Sequence, residues 1–175
     1  MRPLIFGNGR ILICEDERGI IRDIYFPYVG LEDHCNLIRA GIYDLNNHIF
    51  SWLDDWDIQQ RYKSSFEINF FQDLNMPAGS EVKDYEAPFF QISNIGETLF
   101  YNQNLGLQVK VLDAIHPSSN YFCRVFEVKN RSEYPRDLRL FSNQNYNILE
   151  NKISETAVID RDVLIHYKRD RYILH

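Results

Sequence analysis

The sequence predicts a mostly β chain folded as an antiparallel β-sandwich, and three observations predict it. Aromatic residues make up 14% of the chain, with 12 Phe and 11 Tyr against 2 Trp, and Phe and Tyr favour pleated, half-buried surfaces. Several segments place apolar residues at every second position, the period of a strand with one buried face. No segment holds a helical apolar stripe for three turns without a Pro, Gly or β-branched interruption. At 175 residues, 45% hydrophobic and 25% charged, the chain reads as one domain or one large piece of something bigger. A chain of that size can bury a core without disulfides or metals.

Taken in order, Ile11-Leu12-Ile13-Cys14, the turn-like Asp16-Glu17-Arg18-Gly19 and the run Ile20 to Phe26 form a hairpin halted by Pro27. Gln60 to Phe71 carries Tyr62, Phe66, Ile68 and Phe70 on one alternating face. Leu74 to Tyr85, with Pro77, Gly79 and Ser80, reads as a loop. Leu107, Val109, Val111 and Ile115 alternate with Gln108 and Lys110, and Tyr121 to Val128 is a nearly continuous apolar strand ended by Lys129-Asn130-Arg131-Ser132. Leu138 to Phe141 is another strand. The last stretch is a meander: Thr156 to Ile159, Val163 to Tyr167 and Tyr172 to Leu174, joined by charged connectors. Two sheets facing each other across an aromatic core satisfy this pattern.

Charge and composition narrow the function. The 19 basic against 25 acidic residues leave a net charge of −6, so the chain lacks the basic footprint of a nucleic-acid binder. No run approaches the ~18 apolar residues of a membrane span, and Met1 to Gly7 lacks the features of a secretory signal. Cys14, Cys35 and Cys123 are odd in number and lack metal or disulfide spacing. A reduced, cytoplasmic chain is the expectation.

The candidate chemistry is sparse. Gly7-Asn8-Gly9 lacks the spacing and following helix of a phosphate loop and reads as a tight turn. Glu32-Asp33-His34-Cys35 sets four potential ligands in a row, but consecutive residues rarely converge on one metal. Asp54, Asp55 and Asp57 around Trp56 could supply a glycosidase carboxylate pair, although three acids within four residues are usually a solvated turn. His116 and His166 have no serine elbow nearby. Trp52, Trp56, Tyr25, Tyr28 and Tyr43 lie near turns, where aromatic planes can stack on sugar rings or be buried in a core or domain interface. No catalytic constellation and no cofactor site emerges from the residues alone.

A resemblance adds what the residues do not. Gly7 to Ile13, Gly19 to Gly30 with its Arg22-Asp23-Ile24-Tyr25-Phe26-Pro27 block, and Glu32-Asp33-His34 resemble the start of prokaryotic glucoamylase-type enzymes. These form the glycoside hydrolase family 15 group, with glucodextranases and microbial trehalases. The likeness continues through Arg39 to Tyr43, Phe50 to Leu53, Asp55-Trp56, His116-Pro117, Asn130-Arg131-Ser132, Arg139 to Tyr146 and Ile165 to Tyr172. It implies a galactose-mutarotase-like supersandwich, incomplete at its C-terminus, with residues 1–175 as a partial N-terminal domain. It further implies an absent (α/α)6 barrel that holds the two catalytic glutamates and hydrolyses α-glucans with inversion. The sequence departs from the family at Asp33, where relatives tend to have Asn, and at Ser142 to Asn145, where a His-Gln-Asp-like run is common.

By that resemblance the domain is non-catalytic and packs on the barrel of its own chain, helping to wall the sugar site. The loops Val29 to Arg39 and Ser51 to Trp56 are expected to face the barrel, with Tyr28, Glu32, His34, Arg39, Trp52 and Trp56 as sugar-site or domain-interface residues. Alternative readings are an independent carbohydrate-binding module and a mutarotase-like sugar enzyme using His116 or His166. A sandwich with an open strand edge is also expected to self-associate.

Overall fold

A computed structural model describes residues 3–62, 95–151 and 153–175 of the chain. It is the antiparallel sandwich that the alternation predicts. One sheet takes the order β1 (Leu4–Gly7), β2 (Leu12–Glu15), β3 (Ile21–Tyr25), β4 (Cys35–Asp44) and β10 (Leu138–Tyr146), with β5 (Ile49–Trp52) also paired to β4. The facing sheet runs β6 (Asp57–Tyr62), β7 (Ile95–Asn102), β8 (Leu107–Ile115), β9 (Phe122–Asn130). A third sheet is the meander β11 (Thr156–Asp160), β12 (Val163–Lys168), β13 (Arg171–Leu174).

Local chemistry sets the turns. In the β1–β2 turn, Asn8 Oδ1 accepts the Arg10 and Ile11 backbone N–H groups. Its Nδ2 donates to the carbonyls of His116 and Ser119, both at 2.9 Å, which ties this turn to the β8–β9 turn of the facing sheet. In the β2–β3 turn, Asp16 Oδ1 accepts from the Arg18 and Ile20 N–H groups. Gly19 is required there twice over: its φ is +71°, and a Cβ would meet the Phe100 ring at 2.6 Å. The hairpin expected from Ile11 to Phe26 is therefore present, with Leu12 opposite Tyr25 and an irregularity at Cys14/Glu15.

The core has two parts. Leu4, Phe6, Ile13, Ile21, Ile24, Ile38, Ile115, Tyr146 and Ile148 fill one end. Ala40, Ile42, Leu53, Trp56, Phe100, Leu107, Val109 and Val111 fill the other, where β4 faces β7 and β8. Each fully buried Leu, Ile, Val or Phe side chain contributes about 1.5–3 kcal/mol. The alternation Leu107, Val109, Val111 is the inward face of β8, as its period requires.

Elsewhere the structure departs from the pattern read in the sequence. β10 extends from the expected Leu138–Phe141 to Tyr146, because Ser142 to Asn145 continue the ladder opposite Ala40, Arg39, Ile38 and Leu37. Their polarity hid the strand, which is the last of its sheet among the described residues. β4 holds ten residues although Gly41 sits within it. The expected strand Gln60 to Phe71 begins within β6, and its remainder, like the expected loop Leu74 to Tyr85, lies outside the described residues.

Candidate functional site

The β3–β4 connection carries the first group of sequence-selected residues. The Tyr28 carbonyl accepts from the Leu31 and Glu32 N–H groups at 3.1 and 3.3 Å. That turn pushes Tyr28, Val29 and Leu31 outward, at 58%, 44% and 73% exposure. Glu32 turns the other way and takes the Arg171 guanidinium of β13 at 3.0 and 3.1 Å. Its hydrogen bond holds the Arg171 proton more firmly than usual. Asp33 Oδ1 accepts the N–H groups of Ile24 and Cys35.

His34 is a buried tie. Its Nε2 lies 2.5 Å from the Phe26 carbonyl, and its Nδ1 accepts the Leu149 N–H at 3.1 Å. Those two bonds fix a neutral tautomer with Nε2 as donor. Cys35 is buried, and its thiol, pushed up by burial, reaches the Ile21 carbonyl at 3.6 Å. The four side chains of Glu32 to Cys35 thus diverge, each to partners of its own. Among the described residues no group of three or more His, Cys, Asp or Glu is placed to hold a metal ion.

The second group lies on the outer face of the first sheet. Arg39 sits within β4 rather than in a loop. Its guanidinium stacks on the Trp52 ring at 3.9 Å and pairs with Asp54 at 3.6 Å. Phe50 meets Trp52 edge-on at 4.7 Å and Phe141 at 5.8 Å. These rings lie against the backbone at Gly41, where a Cβ would meet Phe50 at 2.6 Å and Trp52 at 2.9 Å. The result is a shallow aromatic platform topped by one cation, with Phe50 and Phe141 well exposed. Trp56 is separate: it is 7% exposed, packed in the core, and its indole N–H donates to Ser51 Oγ at 2.8 Å.

Of the six selected residues, Arg39 and Trp52 touch each other, while Tyr28 is exposed at the β3–β4 turn. Glu32 and His34 fasten that turn to β13 and to Leu149. Trp56 sits inside the sandwich.

One polar cluster escaped the sequence reading. Arg124 on β9 donates to Asp113 on β8 at 2.7 and 3.0 Å, and to Glu15 on β2 in the facing sheet. Both carboxylates are fully buried. Burial, and then the nearby Asp113 charge, push the Glu15 carboxyl well above the usual range. Burial alone would lower the Arg124 pKa, but Asp113 and Glu15 outweigh it and raise it. A signal for this cluster was present. Asp113 continues the inward alternation 107, 109, 111, Glu15 continues 11 and 13, and Arg124 falls between Phe122 and Phe126. A charge at an inward strand position needs a partner across the core.

No family model matches the sequence. Over 169 residues, 97% of this chain, it is 26% identical to an uncharacterized glycosyl hydrolase of Methanocaldococcus jannaschii, of which it spans 23%. The fold is similar to that in a crystal structure of a bacterial glucoamylase complexed with acarbose, with a TM-score of 0.70 at 8% identity. That match covers 98% of this chain and 23% of the glucoamylase. The chain therefore spans about a quarter of the length of each protein it matches. The structural likeness extends through the whole sandwich and its meander.

Proposed function

We propose that this chain is the non-catalytic N-terminal sandwich domain of an α-glucan-hydrolysing glycoside hydrolase, docking on and helping to wall a catalytic barrel. The observation that carries the reading is the coverage. Nearly all of this chain matches less than a quarter of a glycosyl hydrolase by sequence and of a glucoamylase by fold. Two surface features suit a docking role. The turn Tyr28 to Leu31 presents three apolar side chains, and Phe50, Trp52 and Phe141 form an aromatic platform with Arg39. Exposed apolar groups of this kind mark interaction surfaces.

The test is an assay of glucose release from maltooligosaccharides. The 175-residue chain should release none, whereas the intact gene product should release the inverted anomer. In that product Leu31→Asp and Tyr28→Ala, both at exposed positions, should lower the melting temperature or kcat while leaving the isolated chain's melting nearly unchanged. Glucose release by the chain alone would overturn the reading. So would full activity and stability of both variants in the intact product.

A further inference from the structure

An open sheet edge is a template for another strand, and native proteins blunt their edges with short strands, charges or covering groups. β1, β9 and β13 follow that rule. On β1 the Tyr62 hydroxyl accepts the Ile5 N–H at 2.6 Å and donates to the Ile5 carbonyl at 3.3 Å. β9 carries the exposed charges Glu127 and Lys129, and β13 holds only four residues, with Arg171 drawn to Glu32. β11 differs, because it carries a charge only at its last residue. Thr156, Ala157, Val158, Ile159 and Asp160 are all exposed and pair with β12 in unbroken register. Among the described residues no strand lies along the other side of β11.

The sequence around β11 is complementary to itself. A two-fold axis through Val158 sets two copies antiparallel, so that residues equally spaced on either side of Val158 face one another. Thr156 then lies opposite Asp160 of the second copy, where its hydroxyl can donate to the carboxylate. The small Ala157 lies opposite Ile159, which is 78% exposed in the single chain and loses water on pairing. One position further out, Glu155 falls level with Arg161 of the second copy, and the symmetry supplies that opposite-charge pair twice. An axis through Ala157 would set Glu155 against Ile159 instead, and parallel in-register pairing would set Asp160 on Asp160. The antiparallel arrangement also joins the outer faces of the two meanders. On that face Val158, Ile165 and Leu174 lie across one another in register, and beside them Tyr167 stacks on Tyr172 at 5.8 Å. We propose that β11 is a self-association edge, at which two copies of this chain join their meanders into one continuous sheet. The Tyr28 to Leu31 turn and the Phe50 platform, the surfaces of the docking proposal, lie on other elements.

The test is sedimentation of the 175-residue chain across the micromolar to millimolar range, with amide hydrogen exchange at both ends of it. One added strand pair is smaller than a standard interface, so a dimer with a dissociation constant on the order of 100 μM is expected. Exchange in β11 should slow as concentration rises, while exchange in β1, β9 and β13 should not. Val158→Lys sets like charges against each other on the axis and should raise the dissociation constant at least about tenfold. Arg161→Glu should weaken association several-fold, and adding Glu155→Arg should restore it, because the swapped pair attracts as the native pair does. Val158 and Arg161 are both exposed, so these variants should melt like the parent at low concentration. Leu31→Asp, on the docking turn, should leave association unchanged, which keeps the two readings separable. A monomer at millimolar concentration, a dimer whose β11 amides exchange as in the monomer, or a charge swap that fails to restore association would each overturn the proposal.

Discussion

The two facing sheets and the three-stranded meander are made of similar short apolar strands, yet they are held in different ways. In the sandwich, β8 buries every second side chain and β2 buries its last three residues. In the meander all five residues of β11 are exposed, and Ile159, Tyr172 and Leu174 stand at 78%, 60% and 63% exposure. The meander is fastened by a few polar ties instead. Lys168 Nζ donates to the carbonyls of Ile148 and Asn151 and to Asn151 Oδ1, Arg171 clasps Glu32, and the Tyr146 hydroxyl meets His175 Nε2 at 2.7 Å. An apolar run therefore specifies pairing along a strand, but not whether its face finds a cover.

The sharpest way to break the comparison is Arg124→Met. It strands two buried carboxylates between the sheets, and removing one member of a buried ionic set costs about 3–5 kcal/mol. Denaturant unfolding should show that loss across the whole molecule. Glu15→Gln should behave differently. The raised Glu15 pKa means that the folded state binds a proton the unfolded state releases. That contribution is full below the unfolded glutamate pKa of about 4.3 and is lost as pH rises towards the folded value. Stability of the Glu15→Gln variant should fall less than that of the parent as pH rises from the acid side.

In the meander the sign reverses. Burial, with the neighbouring His166 charge, lowers the His175 pKa from 6.5 to about 4. A depressed histidine favours folding above its unfolded pKa, and that support disappears as pH falls from 6.5 through about 4. Hydrogen exchange should therefore show the β12–β13 amides losing protection on acidification before those of β7 and β8. Simultaneous loss in both regions would dissolve the distinction between them.

The sandwich was legible in the sequence because period-two alternation survives wherever one face is buried. The limits of β8 match Leu107 to Ile115, and the three meander strands lie where the charged connectors put them. Less was legible of the site. Trp56 and His34 carry the same chemical promise as Trp52 and Tyr28, but burial is decided by partners distant in the sequence, such as Val109 and Val111 for Trp56 and Leu149 for His34. The amide-rich end of β10 was visible only as a polar interruption. The meander folds back beside it, which no local pattern encodes.

A smaller effect is expected at Lys168, which is 4% exposed and whose three acceptors are all uncharged. Lys168→Met keeps the apolar stem but leaves buried acceptors unpaired, at a cost of about 1–3 kcal/mol. If polar ties hold the meander, the loss should appear as early local opening of Ile148 to Asn151 and β12. A uniform loss of global stability would place Lys168 in the same cooperative unit as Arg124.

The smallest expected effect tests the hairpin turns alone. Arg161 and Arg169 each occupy left-handed backbone, with φ of 54°, in two-residue connections between Asp160 and Val163 and between Lys168 and Arg171. A side chain larger than Asn or Gly is strained there. Arg161→Asn should relieve part of that strain and stabilise the β11–β12 hairpin by up to ~1 kcal/mol. Because the meander shares little apolar core with the sandwich, the gain should slow exchange within β11 and β12 and leave the melting temperature almost unmoved. A gain that raised the global melting temperature in proportion would show that hairpin and sandwich unfold as one, and that the polar ties bind them more tightly than burial suggests.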